Sequence, residues 1–154
     1  FCESQGLYAA RGPVPEGDVV VPLGKSALVR EGGDATIVAW GPAVPDALKA
    51  AEQLAGEGIE CDVIDLRTLV PLDMEPVLAS VAKTGRCVVA AQAVLSGSYV
   101  NEVVARVVNE AFDDLDAPVA RIGAANGISP QAEGLEAAFL PQVSDIADSV
   151  KGLI

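Results

Sequence analysis

Apolar positions along this chain change their period several times, and each change marks an element boundary. Ala27-Leu28-Val29-Arg30 is a short apolar run, and a stronger one, Ala35-Thr36-Ile37-Val38-Ala39-Trp40, follows the turn chemistry of Glu31-Gly32-Gly33-Asp34. Two such runs around a Gly-Gly turn predict an antiparallel hairpin. After Gly41 the period lengthens: Val44, Leu48, Ala51 and Leu54 recur at helical spacing, with Lys49 and Glu52 on the other side. Pro42 and Pro45 stand where a first turn tolerates proline, and Gly56 or Gly58 closes the helix. Ile59-Glu60-Cys61-Asp62-Val63-Ile64 alternates like a strand. Asp73 is placed to cap a second helix that turns Met74, Val77, Leu78 and Val81 inward. Gly85 supplies its left-handed stop, and Lys83 lies near the negative pole of its dipole. Arg86-Cys87-Val88-Val89-Ala90-Ala91 has the character of a buried parallel strand. From Ser96-Gly97-Ser98 a longer helix predicts Val100, Val103, Val104, Val107, Val108, Ala111 and Phe112 on one side, ending at Asp113-Asp114-Leu115-Asp116. Val119-Ala120-Arg121-Ile122 is a strand. An irregular stretch then runs to Pro141, and a last helix gathers Val143, Ile146, Ala147 and Val150.

This alternation implies right-handed crossovers and an α/β fold: three α/β/α layers around a five-stranded, mostly parallel sheet with one antiparallel edge strand. Residues 1–24 are rich in Gly and Pro, lack periodicity, and predict an extended linker or interface segment; residues 25–154 form the domain. No internal repeat or second core is visible. The first residues, Phe1-Cys2-Glu3, suggest a cut inside a longer polypeptide.

Composition narrows the chemistry. At 154 residues and 51% hydrophobic content the chain can bury a core without disulfide or metal support. Twenty-two acidic against 10 basic residues give a net charge of -12, which makes nucleic acid and anionic membrane surfaces poor partners. There is no histidine, so triads, Cys-His pairs, histidine-ligated zinc and imidazole relays are excluded for this chain. Cys2, Cys61 and Cys87 are an odd set without CxxC spacing; they predict small buried side chains in a reducing cytoplasm. No apolar run approaches the roughly 18 residues of a membrane span.

Ligands of open parallel sheets bind at the carboxyl ends of the strands. Gly41, Arg67 with Thr68, residues 92–98 and residues 123–127 fall there, yet none forms a GxGxxG fingerprint and no Walker lysine is present. Ser96-Gly97-Ser98 offers an anion cradle or, more simply, an N-cap. Asp65 and Arg67 offer a carboxylate or phosphate clamp or, more simply, bonds to loop backbone or a neighbouring subunit. Asp113, Asp114 and Asp116 are commonly a solvated helix end, but acids at a carboxyl terminus oppose the dipole, which raises the docking of a basic partner. No acid-base pair of carboxylates stands out.

Specific strings carry a resemblance. Pro22-Leu23-Gly24-Lys25-Ser26, Arg30-Glu31-Gly32, Ala50-Ala51-Glu52 and Asp65-Leu66-Arg67-Thr68-Leu69-Val70-Pro71-Leu72-Asp73 occur in that order, followed by Ala111-Phe112, Leu115-Asp116-Ala117-Pro118-Val119 and Leu140-Pro141. Together they resemble the C-terminal domain of the beta subunit of thiamine-diphosphate-dependent 2-oxo acid dehydrogenases, the pyruvate and branched-chain family, which shares this domain with transketolase. The resemblance implies a mixed five-stranded sheet with one antiparallel strand, and a preceding pyrimidine-binding domain outside this chain. It also implies a parent enzyme with alpha subunits and a second beta subunit, decarboxylating a 2-oxo acid on thiamine diphosphate with Mg and passing the acyl group to a lipoyl domain. In that family the cofactor contacts lie outside this domain, so no catalytic, cofactor or metal residue is carried over and the domain alone is expected to be inactive. Its implied role is assembly and the docking of the acyltransferase's basic subunit-binding domain, with Asp116 and the terminal carboxylate of Ile154 as docking contacts. Acidic surface suits a basic partner, because complementary charge raises encounter rates and selects partners.

Two departures stand out. Ala91-Gln92-Ala93 replaces a common His-Glu-Ala, and the usual aromatic-proline pattern around Ile128-Ser129-Pro130-Gln131 is missing. The competing readings are a self-standing small-ligand binder, which needs a pocket with converging polar groups, and the equivalent domain of a transketolase or deoxyxylulose-phosphate synthase relative.

Overall fold

The computed structural model describes residues 3–13 and 15–154; Cys2, expected above to be a buried thiol, lies outside the described residues. A 3-10 turn at Gln5–Leu7 interrupts an otherwise irregular leading segment. The ordered elements are β1 (Ala27–Arg30), β2 (Ala35–Ala39), α1 (Ala43–Ala55), β3 (Cys61–Asp65), α2 (Glu75–Thr84), β4 (Cys87–Val94), α3 (Tyr99–Glu110), β5 (Ala120–Ala124), α4 (Glu133–Phe139) and α5 (Val143–Lys151). The strands form one five-stranded sheet in the order β1-β3-β2-β4-β5. β2, β3, β4 and β5 run parallel, and β1 runs antiparallel at one edge. The expected α/β/α architecture is therefore the observed one.

The hairpin is not. β1 and β2 never pair: β3 lies between them, with Leu28 opposite Ile64 on one side and Ile37 opposite Val63 on the other. The turn's donors explain the difference. Gly33 and Asp34 amides both donate to the Glu60 carbonyl, at 2.9 and 2.8 Å, and the Gly32 amide donates to Asp62 at 2.7 Å. The Gly-Gly turn thus clamps the start of β3 instead of closing two neighbouring strands.

Helices cover both faces. On one, α1 and α5 pack over Ile37, Val63 and Val88, and the α1 contact is built largely from Ala43, Ala47, Ala50 and Ala51 with Leu54. Val44 and Leu48, expected to lead that face, are only half-buried, because small alanines bring the helix axis close to the sheet. On the other, α2 and α3 pack over Val38, Ile64 and Val89 through Val77, Val81, Val100, Val103 and Val107. The long α3 stripe divides here: Val100, Val103, Val107 and Ala111 are buried, Val104 is half-buried, and Val108 and Phe112 lie in solvent.

Three further expectations need correction. The stretch before Pro141 contains the short helix α4, which escaped a periodicity argument because its residues are nearly all exposed and no apolar row is set against the core. Ser98 does occupy the N-cap of α3 but makes no cap bond; its hydroxyl donates to the Leu95 carbonyl at 3.4 Å. Asp73 acts one position earlier than expected, accepting from the Glu75 amide at 3.3 Å while Met74 is the N-cap. Gly85 is left-handed, as expected, with φ +68°.

Candidate functional site

At the carboxyl edge of the sheet, the loop after β3 is pinned by the segment entering β1. Ser26 donates its hydroxyl to the Asp73 carbonyl at 2.8 Å and its amide to the Asp73 carboxylate at 3.2 Å. The Gly24 amide donates to Thr68 Oγ1 at 3.1 Å, and the Tyr99 hydroxyl donates to the Leu69 carbonyl at 2.6 Å. Gly24 has φ +69°, and a Cβ there would come 2.7 Å from Pro71 Cγ. The Val70-Pro71 bond in this loop is cis. Asp65 takes its structural part, accepting from the Arg67 amide at 2.9 Å, and the Arg67 side chain is exposed.

Near the carboxyl ends of β2 and β4 lies a hollow of about 290 Å³, bordered by Asp46, Gln92, Glu136 and Gln142. Its charged groups are carboxylates, which repel a diphosphate. No group of three or more metal-ligating side chains exists among the described residues. The residues bordering this hollow do not fit thiamine diphosphate with its Mg ion, and no reaction step is assigned to them.

The amino edge is organised differently. Arg86, just before β4, donates from Nε to the Leu153 carbonyl at 2.9 Å and from Nη1 to the Thr84 carbonyl at 3.4 Å; Nη1 also lies 3.9 Å from Asp116 Oδ2. The Asp116 amide donates to the Gly85 carbonyl at 2.8 Å. A Cβ on Gly85 would come 2.8 Å from Asp116 Cγ, so only glycine lets the carboxylate lie there. Through Arg86 the structure links Asp116 to the segment at Leu153 and Ile154. Both remain outward: the Asp116 side chain is 67% exposed and Ile154 57%.

Beside this cluster runs a groove of about 780 Å³ between α3 and the segment leading into β5. Val104, Val108, Phe112, Leu115 and Val119 line it, with Asp113 and Asp116 also on its wall. A 3-10 turn, Phe112–Asp114, carries Asp113 and Asp114, and Asp116 follows it.

A buried polar network, not anticipated from sequence, supports this edge. Asp62 on β3 is 1% exposed, yet it accepts from Ser80 at 2.5 Å, from Lys83 at 2.8 Å and from the Gly32 amide at 2.7 Å. Burial by itself would raise the Asp62 carboxyl, but the bonds from Lys83, Ser80 and Gly32 outweigh it and hold the group below its ordinary value. Thr36 Oγ1 lies 2.6 Å from the Ser80 hydroxyl and 2.7 Å from that of Thr84. One signal was available: Ser80, Lys83 and Thr84 form a polar row on α2 beside the inward Val77 and Val81.

Cys61 and Cys87 are both buried, as expected for structural thiols. Burial pushes the Cys61 thiol up to about 11 and the Cys87 thiol up to about 12. Neither is a nucleophile at neutral pH. No helix among the described residues is long and apolar enough to cross a membrane.

A mixed five-stranded sheet with one antiparallel edge and helices on both faces is the architecture of a transketolase-type C-terminal domain. Residues 24–146 match the family Transketolase, C-terminal domain, and the chain belongs to it. It is 40% identical over 154 residues to the pyruvate dehydrogenase E1 component subunit beta of Rhizobium meliloti, covering 99% of this chain and 34% of that protein. It is also 40% identical over 151 residues to the acetoin:2,6-dichlorophenolindophenol oxidoreductase subunit beta of Cupriavidus necator, covering 98% of this chain and 45% of the relative. Among solved structures, a split gene transketolase described as an inactive beta4 tetramer superposes with a TM-score of 0.78 at 29% identity, over 92% of this chain and 46% of that one. The chain thus spans less than half the length of each of these relatives.

Proposed function

We propose that this chain is the assembly and docking domain of the beta subunit of a 2-oxo acid dehydrogenase decarboxylating component, not catalytic by itself. Pyruvate is the substrate that the relatives' names favour over a branched-chain 2-oxo acid. In this reading thiamine diphosphate and Mg are held by the rest of the parent enzyme, in the cytoplasm. The domain contacts an alpha subunit and a second beta subunit, and Asp116 with Ile154 docks the acyltransferase's basic subunit-binding domain. Residues 1–24 serve as the connecting and interface segment.

The observation that carries the docking reading is the amino-edge cluster: an exposed aspartate and an exposed tail, tied together at the wall of an apolar groove. Exposed Val19, Val20, Val21 and Leu23, with Val70 of the neighbouring loop, support the assembly part, since such surface is ordinarily covered in a larger complex. The ligand-binding alternative lacks support from the carboxylate-bordered hollow. The transketolase alternative draws on the split gene transketolase structure, but at 29% identity against 40% for the dehydrogenase and oxidoreductase subunits it stands second.

Calorimetric titration of this chain with the acyltransferase's subunit-binding domain, at several salt concentrations, tests docking. Asp116→Asn is expected to weaken binding about fivefold or more and to flatten the salt dependence. Identical titrations for both proteins would overturn the docking reading. Tight binding of thiamine diphosphate to the chain alone would overturn the assembly reading.

A further inference from the structure

We propose that Arg86 is the positioning residue of the docking rim: its guanidinium sets the spacing between the Asp116 carboxylate and the tail at Leu153 and Ile154. The inference rests on the docking reading above and adds to it a residue that itself meets no partner.

Three segments far apart in sequence end at this one side chain. Thr84 closes α2, Asp116 follows the 3-10 turn after α3, and Leu153 follows α5; Arg86 reaches all three through two of its nitrogens. Among the described residues, Arg86 is the side chain that bonds the Leu153 carbonyl and also lies within ion-pair distance of Asp116. Arg86 itself is mostly covered, at 28% exposure, whereas the carboxylate it approaches is mostly open. At 3.9 Å the Arg86–Asp116 pair is loose, so the carboxylate keeps its capacity to accept from an incoming cation. Gly85 adds the second constraint: its left-handed backbone and missing side chain let the Asp116 amide and carboxylate settle against it. The guanidinium fork, with separate nitrogens for the tail and the loop, suits this bridging in a way that an ammonium does not.

The sign of the effect separates positioning from simple charge. Arg86 is a cation inside an acidic rim, so as a mere competitor its removal would tighten the binding of a basic partner. As a positioning residue its removal weakens binding, although the surface becomes more negative. Arg86→Lys removes the charge difference altogether: it keeps the cation and loses the simultaneous reach to Leu153 and Asp116.

The subunit-binding domain of the acyltransferase is titrated against the unaltered chain, Arg86→Lys, Arg86→Gln and Asp116→Asn, with thermal unfolding recorded for each. Arg86→Lys is expected to weaken binding about fivefold with an unchanged salt slope, and Arg86→Gln to weaken it by at least as much. If Arg86→Gln fails to fold, Arg86→Lys alone decides. Weakening by Asp116→Asn, together with unchanged affinity in Arg86→Lys or tighter binding in Arg86→Gln, overturns the positioning role and leaves docking intact. No effect of Asp116→Asn overturns both. A lowered unfolding temperature with unchanged affinity marks Arg86 as purely structural and also overturns the proposal.

Discussion

Both faces of the sheet have apolar centres, but one of them adds a buried polar network. Under α1 and α5 the contact is apolar, with Ala35, Ile37, Ala39, Cys61 and Val63 meeting an alanine-rich helix. Under α2 the same strands present Thr36 and Asp62, which meet Ser80, Lys83 and Thr84. Apolar contact is non-directional and tolerates sliding, whereas hydrogen bonds to a buried carboxylate are made in one register only. The polar face therefore fixes where α2 ends. That end carries Gly85 and Arg86, the two residues against which Asp116 rests. Directional bonding is spent on the face that leads to the candidate site.

Perturbing one face at a time sharpens this contrast. The largest loss is expected from the apolar side: Leu54→Ala, at a fully buried position, costs about 2–5 kcal/mol of unfolding free energy in urea titrations. Lys83→Met strikes the polar side, leaving Asp62 buried without its cation. Its cost at neutral pH is about 2 kcal/mol, below that of a fully buried pair because Lys83 is half in water. Its pH signature is more specific. In the unaltered protein the Asp62 carboxyl sits below its unfolded value, so its contribution is present above the ordinary carboxylate range and is lost as pH falls through the folded value. Without Lys83 the group is held down only by Ser80 and Gly32, and acidification from pH about 5 to 3 costs correspondingly less stability. Parallel urea midpoints across that range for both proteins, showing equal acid slopes, would remove Asp62 from the account. The smallest effect is expected for Arg106→Ala, which breaks an exposed pair with Glu110 one turn along α3; the unfolding midpoint should stay within error.

Local order was legible in the sequence wherever one element's own pattern decided it. The glycine stop at Gly85, the buried run after Arg86 and the inward row of α5 all appear as expected. Failures occur where a distant partner decides. The Gly32-Gly33 turn has hairpin chemistry, yet its amides are taken by Glu60 and Asp62, nearly thirty residues on, and β3 enters between the two strands. Val108 and Phe112 share the apolar spacing of α3, but the core ends before them; their exposure depends on where the β5 approach passes. The site was half legible. Asp116 stood out because acids oppose a helix carboxyl terminus, and its link to the tail depends on Arg86, which nothing in the local pattern distinguishes from a strand-edge arginine.

One consequence of the Asp62 network concerns protons. Each hydroxyl has a single hydrogen to give. Ser80 directs its own to Asp62, so it can only receive from Thr36, whose oxygen is then open to Thr84; the Arg86 carbonyl, 3.2 Å from Thr84 Oγ1, is the other acceptor for the Thr84 hydrogen. The buried anion thereby fixes the direction of the Ser80 and Thr36 hydroxyl dipoles, and turning either of them around would leave two oxygens lone pair to lone pair.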